Sequence, residues 1–93
     1  MAGKSEHRLA LELVGGYHRE QLSVLLARAG EVVDGFRAGE SDAFEADAEL
    51  FQYSRAAKAL WSFCNVGDVR DVAAVIAEGP AIDWWARGAF RRR

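Results

Sequence analysis

The chain has 93 residues, of which 51% are hydrophobic and 28% are charged, and its formal net charge is −2 at pH 7. This length accommodates one domain, and the balance of apolar and charged residues is that of a globular protein rather than a disordered one. The net charge excludes a generally basic nucleic-acid-binding protein, and the single cysteine, Cys64, excludes an internal disulfide framework and indicates a reducing compartment. We expect one helical domain over 1–93, with 1–8 and 91–93 as flexible ends.

The first residues carry no recognisable export or membrane signal. The early apolar run over 9–14 is interrupted by Glu12, whereas a signal peptide needs about 7–15 apolar residues and a membrane helix about 20. We therefore expect a cytoplasmic protein with no membrane association.

The first long helical pattern covers 17–38. The composition favours helices, with 17 alanines and no threonine. Apolar positions recur at spacings of three and four, which places them on one helix face; the stripe consists of His18, Leu22, Leu25, Ala29, Val32 and Phe36. Gly15-Gly16 precedes this helix and Gly39 ends it. The segment 9–14 alternates like a strand, but no second strand is available to pair with it, so we interpret it as helix.

A second helix is predicted over 42–64, with Ser41 or Asp42 as its N-cap. The link of about four residues between the two helices makes them antiparallel neighbours. A third helix is predicted over 68–78, ended by Gly79-Pro80, and Asp83 caps a last short helix holding Trp84, Trp85 and Phe90. The fold class is thus all-α: a small helical bundle built on a long antiparallel αα-hairpin, with a shorter third helix and a C-terminal tryptophan-containing segment.

Charge is unevenly distributed along the chain. Residues 31–50 carry a net −6, and residues 87–93 carry a net +4 from Arg87 and Arg91–Arg93. The helix spacing of the C-terminal third is similar to a helix-turn-helix, so these arginines could meet phosphates while Trp84 or Trp85 stacked on bases. Two bulky tryptophans nevertheless stand where base-reading polar residues are expected. We favour packing tryptophans and a solvated arginine tail, and keep nucleic-acid binding as the alternative.

No catalytic or metal-binding constellation emerges from the sequence. The two histidines, His7 and His18, lack the spacing of metal ligands on one helix face. No serine or cysteine nucleophile stands beside a base and an acid in sequence. His18 and Tyr53 remain the candidate polar site for a small ligand or an enzyme, which is the least favoured class. We expect no metal and no cofactor.

The wide apolar stripes indicate a protein that acts through contacts with other proteins. Phe44, Phe51 and Trp61 lie beside the main apolar seam of the second helix, which gives more apolar surface than a chain this short readily covers. We expect a non-enzymatic interaction or regulatory protein that forms a homodimer or binds an unknown protein partner. The candidate interaction surface consists of Phe44, Phe51, Trp61, Trp84, Trp85 and Arg87.

Two tryptophan-containing patches carry a resemblance to a known group of proteins. The stretch Ala57-x-x-Leu60-Trp61-x-Phe63-Cys64, followed by Asp83-Trp84-Trp85-x-Arg87-Gly88, resembles a group of short uncharacterised all-helical bacterial proteins. The likeness covers roughly residues 15–90. It implies a small helical bundle and attaches no activity to any residue.

Overall fold

The computed structural model describes residues 2–90, with side chains from residue 5 onward. Within these residues every regular element is a helix. The four helices are α1 (Ala2–Arg37), α2 (Ala43–Asn65), α3 (Val69–Glu78) and α4 (Trp84–Arg87). The molecule is elongated, 58 × 30 × 19 Å, because α1 alone is about 54 Å long at roughly 1.5 Å per residue. The all-α prediction and the long hairpin of α1 and α2 are confirmed.

Helix α1 differs from the prediction at its start. It begins at Ala2 and continues through Gly15-Gly16, so the expected start at residue 17 is wrong and the helical interpretation of 9–14 is confirmed. Residues 2–8, expected as a flexible end, belong to the same helix. A glycine inside a helix costs about 0.5–1 kcal/mol relative to alanine. Burial of Val14 on one side of the glycine pair and packing of Tyr17 on the other offset that cost.

The short link between α1 and α2 consists of the C-terminal cap of the first helix and the N-terminal cap of the second. Gly39 has a φ of +77° and its N–H bonds the Phe36 carbonyl, while the N–H of Glu40 bonds the Gly35 carbonyl. This pair of bonds is the Schellman motif, in which the left-handed residue is usually glycine. The N-cap of α2 is Asp42, whose carboxylate accepts from the Glu45 N–H as part of a capping box.

The core lies between α1 and α2 and is closed by α3 and α4. Leu60 is fully buried at its centre, and burial of a leucine contributes roughly 1.5–3 kcal/mol. The buried cluster consists of Val14, Leu25, Ala56, Leu60, Cys64 and Trp84, and half-buried residues of α3 and Ile82 pack against it. Across residues 2–90, none of the helices combines the length and apolar character required to cross a bilayer.

Candidate functional site

Trp84 is a core residue that joins α4 to the hairpin. Its ring is 5% exposed, and its indole Nε1–H donates to the Tyr17 hydroxyl at 2.7 Å. The Phe63 ring packs against both, with its centroid 5.2 Å from that of Trp84 and 6.1 Å from that of Tyr17. The polar edge of the indole is thereby satisfied inside an aromatic cluster, as a buried tryptophan requires. Trp84 therefore has no free face to offer a partner.

The end of α4 is held against α2 by close backbone approach. The Gln52 side-chain amide donates to the Trp85 carbonyl at 2.9 Å, and Arg55 Nε donates to the Gly88 carbonyl at 2.6 Å. Gly88 is itself buried, and a Cβ at this position would lie 2.8 Å from the Cβ of Ala56. Only glycine fits here, so the α4 segment is part of the folded core.

Both tryptophan rings of α4 have an arginine side chain over them. The Arg28 guanidinium lies 4.7 Å from the centroid of the Trp85 ring, and that of Arg87 lies 5.9 Å from the Trp84 ring. Trp85 is half-buried and Arg87 is exposed. Arg91–Arg93 lie outside the described residues. Because Arg28 lies over one face of the Trp85 ring, that face is not free to stack on a nucleic-acid base.

The largest exposed aromatic side chains of the hairpin follow one face of α2. Phe44 is 88% exposed, Phe51 59% and Trp61 55%. Residues spaced alternately by three and four share a helix face, and this spacing defines a six-residue row on the side of α2 opposite the core. We call this row the outer face of α2; it consists of Phe44, Asp47, Phe51, Ser54, Lys58 and Trp61, all exposed.

Two shallow apolar hollows adjoin the outer face. One, of about 180 Å³, is lined by Asp47, Leu50, Phe51 and Ser54. The other, of about 220 Å³, is lined by Phe36 of α1 together with Ala43, Ala46, Asp47 and Leu50 of α2. The four residues of the first hollow stand at i, i+3, i+4 and i+7, the arrangement that receives a side chain of an opposing helix in knobs-into-holes packing.

The large exposed apolar side chains of α1, which also include Val24 and Phe36, are divided between two sides of the helix. Leu9 and Leu13 are 63% and 41% exposed, and Leu11 and Leu26 are 51% and 53% exposed. At about 100° per residue the first pair lies on one flank of the buried Val14 and the second pair on the other. Single exposed apolar residues of this kind are ordinary on protein surfaces.

His18 and Tyr53 are both half-buried, and Tyr53 packs against the buried core cluster. Neither side chain takes part in a hydrogen bond with the described part of the chain. Neither lines any of the four surface cavities near the hairpin and α4. The candidate polar site at His18 and Tyr53 therefore stays a prediction.

An acidic groove lies at the hairpin end of the molecule. An open groove of about 320 Å³ is lined by Arg28, Val32, Gly35, Ser41 and four glutamates, Glu31, Glu40, Glu45 and Glu49. Among residues 2–90, the acids, histidines and the cysteine form no group of three or more that could hold a metal ion. We interpret the groove as a solvated charged surface.

The pKa values of Cys64 and Asp68 depart from the ordinary ones. Burial raises the pKa of the Cys64 thiol, because the thiolate loses its hydration inside the core. The pKa of Asp68 is lowered, first because its carboxylate accepts a hydrogen bond from the Arg70 backbone N–H. The first shift fits an inert packed thiol and the second fits a helix N-cap.

Sequence reasoning and structure differ most on the residues that hold α4. The sequence predicts no structural role for Tyr17, Gln52, Arg55 or Gly88, although the first three bind the C-terminal segment and Gly88 packs that segment against α2. Tyr17 lies one helical turn after Val14 and therefore on the same face. This relation is visible in the sequence only if the helix is taken to begin before Gly15-Gly16. Gly88 gives no such signal, because a glycine after a short helix is also an ordinary helix end.

Comparison of the chain with protein-family models, with curated proteins and with solved structures returned no match. The resemblance to short all-helical bacterial proteins therefore stays a prediction.

Proposed function

We propose that this protein is a non-enzymatic interaction protein of the cytoplasm, which acts as a homo-oligomer built on helix packing. The observation that carries the proposal is the outer face of α2, where Phe44, Phe51 and Trp61 hold large aromatic surface in water. Scattered apolar residues need no explanation, but exposed aromatic side chains repeated along one helix face are typical of protein–protein contacts.

The arrangement of the core supports this proposal. Trp84 and Leu60 belong to the buried cluster inside the hairpin, whereas Phe44, Phe51 and Trp61 lie outside that cluster and keep more than half of their surface exposed. Aromatic side chains are also the ones that anchor protein interfaces, because each buries a large area at a small loss of side-chain entropy. Their exposure here is best explained by a partner that covers them.

Nucleic-acid binding through the C-terminal arginines remains the alternative proposal. The burial of Trp84 and the contact of Arg28 with the Trp85 ring weigh against base stacking at this end. Arg87 is the one arginine of residues 87–93 that the structure describes, and it lies over the Trp84 ring. Protein–protein contact is therefore the function that we favour.

Sedimentation equilibrium at micromolar concentration tests the proposal on the wild-type chain and two variants. The double variant Phe44→Ser/Phe51→Ser removes two aromatic residues from the outer face. Phe90→Ser is the matched control, because Phe90 is 75% exposed but lies beyond α4.

We expect wild type and Phe90→Ser to sediment as dimers or a small symmetric oligomer, and the double variant to shift strongly towards monomer. A wild-type chain that stays monomeric up to about 100 μM would contradict the homo-oligomer, since specific complexes are commonly tighter than this. Circular dichroism of each variant checks that the helices are retained.

A further inference from the structure

We infer that the outer face of α2 binds the same face of a second copy in antiparallel orientation, about a two-fold axis between Gln52 and Tyr53. This inference rests on the proposed function and adds the surface, the direction and the register of the contact. It is carried by the order of the six residues along the face, which is complementary to itself when reversed.

The six positions of the outer face are symmetric about that midpoint. Their spacings of three and four make them the alternating seam positions of a short coiled coil, spanning about 26 Å at 1.5 Å per residue. In a two-fold antiparallel contact each residue meets the one at the mirrored position on the second copy. The mirrored pairs are Phe44 with Trp61, Asp47 with Lys58, and Phe51 with Ser54.

Each of these pairs joins groups that suit one another. The outermost pair brings two aromatic rings together, Phe44 and Trp61, at both ends of the contact. The central pair sets the large Phe51 against the small Ser54, so the helices can approach closely without a clash. Large residues facing small ones is how packed helix layers interdigitate.

The pair formed by Asp47 and Lys58 supplies charge complementarity. Asp47 and Lys58 are both exposed, and neither forms an ion pair with the described part of its own chain. In the antiparallel arrangement Asp47 of each copy lies opposite Lys58 of the other, so the dimer contains two pairs of opposite charge. A parallel in-register pairing would instead set Asp47 against Asp47 and Lys58 against Lys58, which like-charge repulsion disfavours.

The apolar flank of the row extends the same contact. Ala43, Leu50 and Ala57 stand one position before Phe44, Phe51 and Lys58 on the helix, and Leu50 lines both apolar hollows. A second helix lying along the outer face would cover this flank as well. The occupant that the surface fits is thus another copy of this chain.

Charge reversal tests the register without removing any apolar surface. Asp47→Lys would place lysine against Lys58 of the second copy, and Lys58→Glu would place glutamate against Asp47. Each single variant should raise the dimer dissociation constant about tenfold or more, because like charges meet twice. An equimolar mixture of the two variants restores both opposite-charge pairs in a heterodimer, and should associate within about threefold of wild type.

The control is Glu20→Lys, a charge reversal at an exposed position of α1, which should leave the dissociation constant unchanged. Sedimentation velocity of each variant and of the mixture measures these effects, with circular dichroism as the check on folding. A wild-type dimer that both single reversals leave intact would overturn this surface and register while leaving the homo-oligomer standing. A monomeric wild type would overturn the proposed function as well.

Discussion

The indole of Trp84 donates a hydrogen bond of 2.7 Å to the hydroxyl of Tyr17, a residue 67 positions earlier in the chain. This bond ties the last helix to the first and lies inside an aromatic cluster with Phe63. It explains how a helix of four residues, far too short to be stable alone, holds a fixed place in the fold.

Removing the Tyr17 hydroxyl should destabilise the protein measurably. In Tyr17→Phe the Trp84 N–H loses its acceptor in a nearly dry environment, which costs about 1–2 kcal/mol of unfolding free energy. Urea denaturation measures the loss. Tyr53→Phe is the control, since Tyr53 is half-buried but its hydroxyl has no partner in the described part of the chain, and it should cost little.

A double-mutant cycle then isolates the pair. Once Trp84→Phe has removed the donor, the further change Tyr17→Phe should cost much less than it does alone. Strictly additive free energies for the two changes would show that the bond contributes nothing to stability.

The close approach of Gly88 to α2 predicts a cost for adding a single methyl group. In Gly88→Ala the new Cβ meets backbone atoms of α2, which cannot move aside as a side chain would. We expect a loss of about 2 kcal/mol or more in unfolding free energy.

Gly16→Ala is the matched control for this prediction. Its Cβ would meet nothing within 4 Å, and it lies in the middle of α1, so it should stabilise the protein by about 0.4–1 kcal/mol. Equal effects of the two substitutions in thermal denaturation would contradict the packing of α4 against α2.

The sequence predicts those parts of the fold that depend on neighbouring residues, and not those that depend on contacts between distant segments. The end of α1 at Gly39, the capping of α2 by Asp42 and the seam through Leu60 follow from helix periodicity and capping chemistry. The start of α1 does not, because two adjacent glycines are a local stop signal that packing of Val14 and Tyr17 overrides. The clamp on Gly88 depends on two segments that are distant in sequence, and no local pattern reports such a contact.

Which residues of the candidate interaction surface are exposed follows from the sequence only in part. Phe44, Phe51 and Trp61 stand apart from the apolar seam in the sequence and lie exposed in the structure. In the sequence Trp84 is a large aromatic residue like the other three, yet in the structure it is buried. The sequence cannot separate the two cases, because an aromatic ring with a polar edge suits a core as well as an interface. Only the packing of α4 distinguishes the two cases.

Burial of Cys64 predicts an alkaline limit to stability. The folded-state pKa of the thiol is raised above the ordinary value of 9.0, so between the two values the folded chain binds more protons than the unfolded one. This contribution to stability is full below pH 9.0 and is lost as the pH rises through the folded-state pKa.

Urea denaturation between pH 8 and 10.5 measures this loss. The wild-type chain should lose more unfolding free energy over this range than Cys64→Ala, which has no thiol to titrate. Parallel pH profiles for the two proteins would contradict the burial of Cys64.

The arginine tail separates the two proposed functions. Deleting Arg91–Arg93 should change the unfolding free energy by less than about 0.5 kcal/mol, since the sequence predicts a solvated arginine tail and solvated charges contribute little. Trp84→Ala should lower the unfolding free energy by about 3–5 kcal/mol.

We expect no submicromolar binding of single- or double-stranded DNA at physiological salt, measured by fluorescence anisotropy. Tight binding that disappears with the tail would favour the nucleic-acid alternative.

The central claim is that two copies pair antiparallel along α2, and a distance between spin labels tests it most directly. The label is attached at Asn65→Cys in a Cys64→Ala background, at the exposed C-terminal end of α2, and pulsed electron resonance measures the separation between copies. The proposed register places the two labels about 40 Å apart, from a rise of 1.5 Å per residue and a helix separation of 8–10 Å. A separation of roughly 10–15 Å would mean a parallel pair, and the absence of any dipolar coupling would mean that the copies do not associate; either result would contradict the account.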